Sequence, residues 1–183
     1  MSRRYCLLAV ACLGLAAIPV VPHAQEKGFT PLFNGKDLAG WVYGRRAGGA
    51  ENRTGKGYQV ENGVLFTTKE DGGNLFTEKQ YADFVLRFEF NLTENANNGI
   101  GIRAPLEGDA AYAGIEIQVL DDGGSEYRTL RPAQYHGSIY HMFPAKRGHQ
   151  KPVGEWNAEE ITVTGRQITV TTGSRSRKGI WTL

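Results

Sequence analysis

Apolar and polar side chains alternate along several short segments of the chain. In Phe84–Thr93 every second residue is apolar, and in Gly114–Asp122 the residues Ile115 and Ile117 share one face. Successive side chains of a strand point to opposite faces of its sheet, so this alternation predicts half-buried β-strands. No stretch downstream of residue 24 shows a comparable helical period.

Turn residues separate these segments at short intervals. Asn62-Gly63 lies between two β-prone runs, and Gly165-Arg166 lies between two more. Asparagine and glycine accept the positive φ angles of tight hairpin turns, so both pairs predict hairpins. Many short strands joined in this way predict an all-β domain, a sandwich or jelly roll of two antiparallel sheets.

The start of the chain has a different pattern. Arg3 and Arg4 precede an apolar run from Cys6 to Val21, and the small residue Ala24 follows. This order is typical of a secretory signal peptide, so we predict that residues 1–24 are cleaved and that the protein is exported, to the periplasm or outside the cell. No other segment is apolar enough over a sufficient length to span a bilayer.

Removal of this segment changes the charge and cysteine balance. The full chain has 21 Lys and Arg against 19 Asp and Glu, and the segment removes Arg3 and Arg4 but no acidic residue, which leaves 19 of each. Such a balance argues against nucleic-acid or anionic-membrane binding, which needs a concentrated basic excess. Cys6 and Cys12 are removed as well, so no disulfide is expected.

Glu116 and Gln118 are the first candidates for chemistry, because they share the face of their strand opposite to Ile117. A solvated outer face of an antiparallel sheet is one interpretation of this pair, and a ligand-binding face is the other. Gln118 and Leu120 follow Glu116 on the same face, so the strand lacks the paired carboxylates of ordinary glycosidases. Asp121 would need a β-bulge to join Glu116.

Further candidates lie near this strand in the sequence. His136 and Tyr140 share a parity, whereas His141 falls on the opposite face. Arg103 follows a glycine-rich strand, where it is either a functional cation or part of a structural ion pair. Tyr112, in the loop before Glu116, is a candidate for stacking on a sugar ring.

The run Asp121-Asp122-Gly123-Gly124 is most simply a turn, because Asp and Gly are favoured in turns. The functional alternative is a divalent cation site that uses Glu116, Asp121 and neighbouring carbonyls. No other cofactor is indicated.

Five motifs in order resemble the 3-keto-disaccharide hydrolase family, which has a concanavalin A-like jelly roll. The resemblance extends over Phe29–Val170 and implies a secreted enzyme that cleaves glycosides already oxidised to a ketone at C3. The motifs are "FTPLFNGKDLAGW", "NNGIGIRAP", "YAGIEIQVLDD", "QYHGSIYHMFPA" and "KPVGEWN".

This resemblance also implies a reaction. A ketone at C3 acidifies the proton on C2, so a base removes that proton and the bond from C1 to the leaving oxygen breaks by elimination, after which water adds. Glu116 or His136 is the candidate base, and Arg103 or a bound metal would stabilise the enolate. Tyr140 or His136 would protonate the leaving oxygen. The residues expected to contact the sugar are Gln118, Tyr140, Tyr112 and Asp121.

The chain departs from the family pattern at its end. We expect residues 25–172 to form a C-terminally incomplete jelly roll that lacks its closing strands, and residues 173–183 to form a divergent basic tail. The substrate would be a 3-keto-disaccharide or a related glycoside, which an upstream sugar 3-oxidoreductase must supply. The alternatives are a lectin-like module that binds carbohydrate without cleaving it and an ordinary two-carboxylate glycosidase.

Overall fold

The computed structural model describes residues 27–45, 56–68 and 71–173, together with the backbone of residues 179–182. The predicted signal peptide therefore lies outside the described residues. The chain divides into the units Met1–Pro31 and Leu32–Leu183. Residues 27–31 of the first unit form a turn and a short irregular segment. The fold described below belongs to the second unit.

Short strands dominate the second unit, and its helices are brief. The helix α1 is Ala110–Ala113, and 3₁₀ turns occupy Ser125–Tyr127 and Pro132–Gln134. No helix among the described residues has the length and apolar character that a membrane crossing requires. The strands are β1 (Trp41–Gly44), β2 (Tyr58–Glu61), β3 (Val64–Thr67), β4 (Asn74–Thr77), β5 (Phe84–Asn91), β6 (Asn97–Ile102), β7 (Ile115–Leu120), β8 (Trp156–Thr164), β9 (Gln167–Thr172) and β10 (Gly179–Thr182).

All of these strands pair antiparallel. The largest sheet has four strands in the order β10-β9-β8-β5, while β6 pairs with β7, β1 with β4 and β2 with β3. On the edge of β7 away from β6, the segment 137–140 continues the pairing, because Tyr140 N–H donates to the carbonyl of Glu116 and Gln118 N–H donates to that of Ser138. The prediction of an all-β fold built from antiparallel sheets is confirmed.

The core lies between the four-stranded sheet and the β6–β7 sheet. Ile117 of β7 and Ile139 beside it are fully buried, and so are Ile161 of β8 and Ile168 of β9. These side chains belong to one apolar cluster that joins both sheets. Burial of each contributes roughly 1.5–3 kcal/mol, so packing across the two sheets holds this sandwich together.

Both predicted hairpins are present. Asn62 and Gly63 have φ angles of 51° and 80° and connect β2 to β3. Gly165, with φ of 54°, begins the turn that connects β8 to β9.

The end of the chain contributes a strand where the sequence analysis expected only a basic tail. Gly179–Thr182 forms β10 and pairs antiparallel with β9, with Gly179 opposite Val170. Ile, Trp and Thr are frequent in strands, and the basic composition of the preceding residues obscured this short run. The pairing covers the edge of β9, whose backbone groups would otherwise lack partners on that side.

Candidate functional site

Polar and aromatic side chains gather around the face of β7 that points away from the core. They come from β7, from α1, and from the second 3₁₀ turn and the loop after it. We call this group the outer-face cluster, and its members are Tyr112, Glu116, Gln118, Gln134, Tyr140 and His141.

Glu116 occupies space that a glycine leaves open. In the β6–β7 register, Gly101 lies opposite Glu116 and Gly99 lies opposite Gln118. A Cβ atom placed on Gly99 would lie 2.0 Å from Oε1 of Glu116. The carboxyl group therefore lies directly over the backbone of Gly99, and a larger residue there would displace it.

Three aromatic rings lie beside one another in the cluster. The Tyr140 and His141 ring centroids are 4.3 Å apart in an edge-to-face arrangement, and Tyr112 lies 6.4 Å from Tyr140 and 6.2 Å from His141. Asp109 positions Tyr112, because its carboxylate accepts the Ala111 N–H and caps α1. Tyr112 is 72% exposed, so this ring is available to a ligand.

The structure corrects the predicted orientation of His141. Parity placed this residue on the face opposite to Tyr140, yet the two rings are neighbours. The backbone of His141 has a φ of 61°, in the left-handed region, which breaks the alternation of an extended chain. Its N–H donates to the carbonyl of Ala133, which holds the turn. Such a conformation costs about 1–3 kcal/mol and is enriched at functional sites.

Gln134 connects the parts of the cluster, and sequence reasoning missed it. Its Nε2 donates to the Tyr140 hydroxyl at 3.3 Å and lies 3.5 Å from Nε2 of His141. Its main-chain carbonyl accepts from Nε2 of Gln118 at 3.3 Å. Oε1 of Gln118 is buried and has no hydrogen-bond partner among the described residues. The only sequence signal for Gln134 was its place beside Tyr135 and His136 in the motif "QYHGSIY".

The environment of Tyr112 favours its protonated phenol. The neighbouring Tyr140 is the largest cause that raises the pKa of Tyr112 above its ordinary value, and desolvation, Asp109 and Glu116 act in the same direction. Tyr112 therefore remains a hydrogen-bond donor at neutral pH.

Arg103 follows β6 directly, and its side chain contacts the β8–β9 turn. Its backbone φ is 54°, and its guanidinium donates to the main-chain carbonyl of Gly165 in the β8–β9 turn. This contact ties the end of β6 to the four-stranded sheet. The described contact supports a structural role for Arg103. Its partner is the main-chain carbonyl of Gly165 and not a carboxylate, so this contact is a hydrogen bond and not an ion pair.

Asp121 shapes the turn after β7. Its carboxylate accepts the backbone N–H groups of Asn95 and Gly123, each at 3.0 Å, and its side chain is buried. These contacts match the turn interpretation. In the described part of the chain, no three His, Cys, Asp or Glu side chains are grouped so that they could hold a metal ion. The alternative of a cation between Glu116 and Asp121 therefore receives no support from these contacts.

The His136 side chain points into the sandwich, away from Tyr140. The alternation of side chains along the sequence had placed both residues on the same face. Gly137 has a φ of 76°, so the backbone between the two residues leaves the extended region and the alternation of side chains does not hold there. The His136 ring is 5.0 Å from the Phe90 ring, and its Nε2 is 3.4 Å from Oε2 of Glu159. His136 is only 5% exposed, so it does not reach a ligand on the outer face.

Glu159 is the buried partner of His136, and we did not single it out from the sequence. It has the same parity on β8 as Ile161 and Val163, a signal that it faces the core. Burial raises its pKa to about 8, although the Thr172 hydroxyl donates to Oε2 at 3.3 Å and opposes the shift. Burial also lowers the pKa of His136, with Asp122 acting in the opposite direction. Both groups are therefore neutral at pH 7.

The sequence and the fold of this chain are similar to those of known proteins. Residues 28–173 match a family described as the 3-keto-alpha-glucoside-1,2-lyase-like domain. A "3-keto-disaccharide hydrolase" from Bacteroides thetaiotaomicron is 27% identical over 157 residues, which cover 74% of this chain and 52% of the relative. The chain thus spans about half the length of that curated relative.

Two crystal structures from Parabacteroides distasonis, each described as a "putative glycosyl hydrolase", have a similar fold. One superposes with a TM-score of 0.66 and 25% sequence identity. The superposition covers 84% of this chain and 71% of the Parabacteroides chain. The other superposes with a TM-score of 0.63 and 25% sequence identity. That superposition covers 81% of this chain and 70% of the second Parabacteroides chain.

Proposed function

This chain belongs to the 3-keto-alpha-glucoside-1,2-lyase-like domain family, and on that premise we propose that it cleaves the glycosidic bond of 3-keto-glycosides. In this reaction a base takes the proton from C2, and the electrons form an enolate with the C3 oxygen. The enolate then collapses, the C3 ketone re-forms, a C1–C2 double bond appears and the bond from C1 to the leaving oxygen breaks. Water adds across the double bond, so the net change is hydrolysis.

Glu116 is the base in this proposal. It is the carboxylate of the cluster, it is partly exposed, and Gly99 on the neighbouring strand leaves room for it. His136 does not serve, because it is buried beside Glu159. Asp109, which also lies near Tyr112, already accepts the Ala111 N–H as a helix cap.

Tyr112 and Tyr140 supply the remaining groups. Tyr112 is exposed and keeps its proton at neutral pH, so its phenol donates a hydrogen bond to the developing enolate oxygen. Tyr140 lies beside both Tyr112 and His141 and protonates the leaving oxygen. Export of the protein and an upstream oxidoreductase that makes the ketone belong to the same proposal.

The observation that carries the proposal is one partly exposed carboxylate among phenol and imidazole rings. Ordinary glycosidases place two carboxyl groups on either side of the bond. An elimination next to a ketone needs only one base together with hydrogen-bond donors, which is what the outer-face cluster presents.

A paired assay tests this function. We expect the purified protein to release sugar from a 3-keto-disaccharide and not from the same unoxidised disaccharide. Turnover of the unoxidised sugar would indicate an ordinary glycosidase. The exposed Tyr112 ring also suits a carbohydrate-binding module, and binding of the keto sugar without any turnover would favour that alternative.

Gly99→Ala is expected to reduce kcat at least tenfold with little change in fold. The added methyl group would meet the Glu116 carboxyl, which must move by an ångström or more. Displacement of a catalytic group by about 1 Å can cost about 100-fold in rate. The measurement is kcat for the 3-keto-disaccharide, with circular dichroism as a check on folding.

Gly101→Ala is the matched control, because it lies two residues further along β6. A Cβ atom there would lie 3.2 Å from the Cβ of Ala110 and would leave Glu116 in place. Equal loss of activity in both variants would show that the effect comes from β6 in general and not from the Glu116 carboxyl.

A further inference from the structure

Gln134 contacts three other members of the outer-face cluster and the backbone of Arg131. Its Oε1 accepts the backbone N–H of Arg131 at 3.0 Å, while its Nε2 faces Tyr140 and His141. Its main-chain carbonyl holds Gln118. Gln134 is partly buried, and it lies next to the two rings without belonging to the strands that carry Glu116 or Gln118.

The contact with Arg131 determines which way the Gln134 amide points. A backbone N–H can only donate, so the amide oxygen must face it. The amide nitrogen therefore faces Tyr140 and His141, and an amide nitrogen can only donate. The side chain presents N–H groups, and not an oxygen, to both rings.

This orientation determines the roles of the two rings. The Tyr140 oxygen accepts a hydrogen from Gln134 and is also within hydrogen-bond reach of the Tyr112 side chain, so its own O–H can donate to a third group. The Nε2 of His141 must present its lone pair to the Gln134 amide, so a neutral His141 carries its proton on Nδ1.

We infer that Gln134 is a positioning residue for the proposed reaction, which directs the Tyr140 O–H toward the leaving oxygen of the substrate. This inference rests on the proposed function. If Gln134 presented an acceptor instead, the Tyr140 O–H would turn toward it and would no longer be available to the substrate.

Gln134→Glu tests the inference because it keeps the shape and the acceptor for Arg131 but replaces the donor with an acceptor. We expect kcat for a 3-keto-disaccharide, whose leaving group needs a proton, to fall about 10- to 100-fold at pH 7.5. For a nitrophenyl 3-keto-glucoside, whose phenolate leaves without a proton, we expect a loss of less than about threefold, because general-acid assistance contributes little there. Equal losses with both substrates would overturn the inference.

The pH profile gives a second readout that a purely structural role would not change. The introduced carboxyl regains an O–H donor when it is protonated, with an ordinary pKa of about 4.3. The ratio of variant to wild-type kcat for the disaccharide should therefore rise as the pH falls from 7.5 to 5. A constant ratio would contradict the inference.

Gln150→Glu is the matched control. Gln150 also bridges backbone groups, since its Oε1 accepts the Asp122 N–H and its Nε2 donates to the Leu120 carbonyl. The same chemical change there should lower stability without a dependence on the leaving group. Failure of the wild-type protein to cleave either substrate would refute the proposed function, whereas full activity of the Gln134 variant would refute only its positioning role.

Discussion

Glu116→Gln is expected to lower kcat for a 3-keto-disaccharide by about 10²- to 10⁴-fold, because the amide cannot take the C2 proton. Glutamine has nearly the same shape as glutamate, so it still fits over the backbone of Gly99. Binding of the substrate should change little, and the loss should appear in kcat rather than in KM.

Exchange of the C2 proton for deuterium separates this role from a general effect on the site. Wild-type protein in heavy water should release a keto sugar with deuterium at C2, because water adds across the C1–C2 double bond, and the Glu116 variant should release little of this product. Asp121→Asn is a useful comparison, because Asp121 accepts the backbone N–H of Gly123 in its own turn and that of Asn95 in the β5–β6 loop, so this change should affect stability and not turnover. A Glu116 variant with near wild-type kcat would remove Glu116 from the reaction.

Glu159→Gln is expected to stabilise the protein on the order of 5 kcal/mol at pH 9. The ordinary pKa of this carboxyl is 4.5, and burial raises it to about 8 in the folded chain. Between these values the folded chain keeps a proton that the unfolded chain has lost, so stability falls as pH rises through this window. Glutamine carries no charge to bury, and its amide still accepts from Thr172 through its oxygen.

His136 acts in the opposite direction at lower pH. Its pKa is lowered from 6.5 by burial, so the unfolded chain binds a proton below pH 6.5 that the folded chain does not bind, and stability falls as the pH drops. The two slopes oppose each other below pH 6.5, and the loss due to Glu159 is therefore clearest between about pH 6.5 and 8.

Urea unfolding from pH 5 to 9 measures this difference. Wild-type protein should lose stability above pH 6.5, and the Glu159 variant should lose much less. Glu160→Gln is the control, because the neighbouring Glu160 faces the other side of β8 and pairs with the partly exposed Arg87. A wild-type profile in the Glu159 variant would mean that this carboxyl is not buried in its protonated form.

Several features of the chain could be predicted from local pattern alone. Alternation identified the strands around Ile117 and Phe88, and Asn62-Gly63 identified a hairpin. These signals are local because the two faces of a strand and the φ angles of a turn depend on neighbouring residues only. The same alternation placed Glu116 and Gln118 on the face away from the core, and the structure agrees.

The alternation of side chains predicted wrong directions where the backbone leaves the extended region. The positive φ angles at Gly137 and His141 turned His136 and His141 away from the directions that alternation predicted, and Arg103 has a positive φ as well. A positive φ is uncommon at arginine and at histidine, so the residue types at these positions did not predict these turns. They follow from tertiary contacts such as the hydrogen bond from His141 N–H to the Ala133 carbonyl.

Alternation and turn chemistry act over a few residues, and they were enough to predict an all-β chain, its antiparallel hairpins and the polar pair Glu116 and Gln118 on the outer face of one strand. Which distant groups meet is set in the folded chain. Gln134 and His141 joined the cluster, while His136 was buried against Glu159, 23 positions away along the printed chain. Such contacts depend on how the sheets and loops pack, so they cannot be predicted from the alternation of side chains within a single strand.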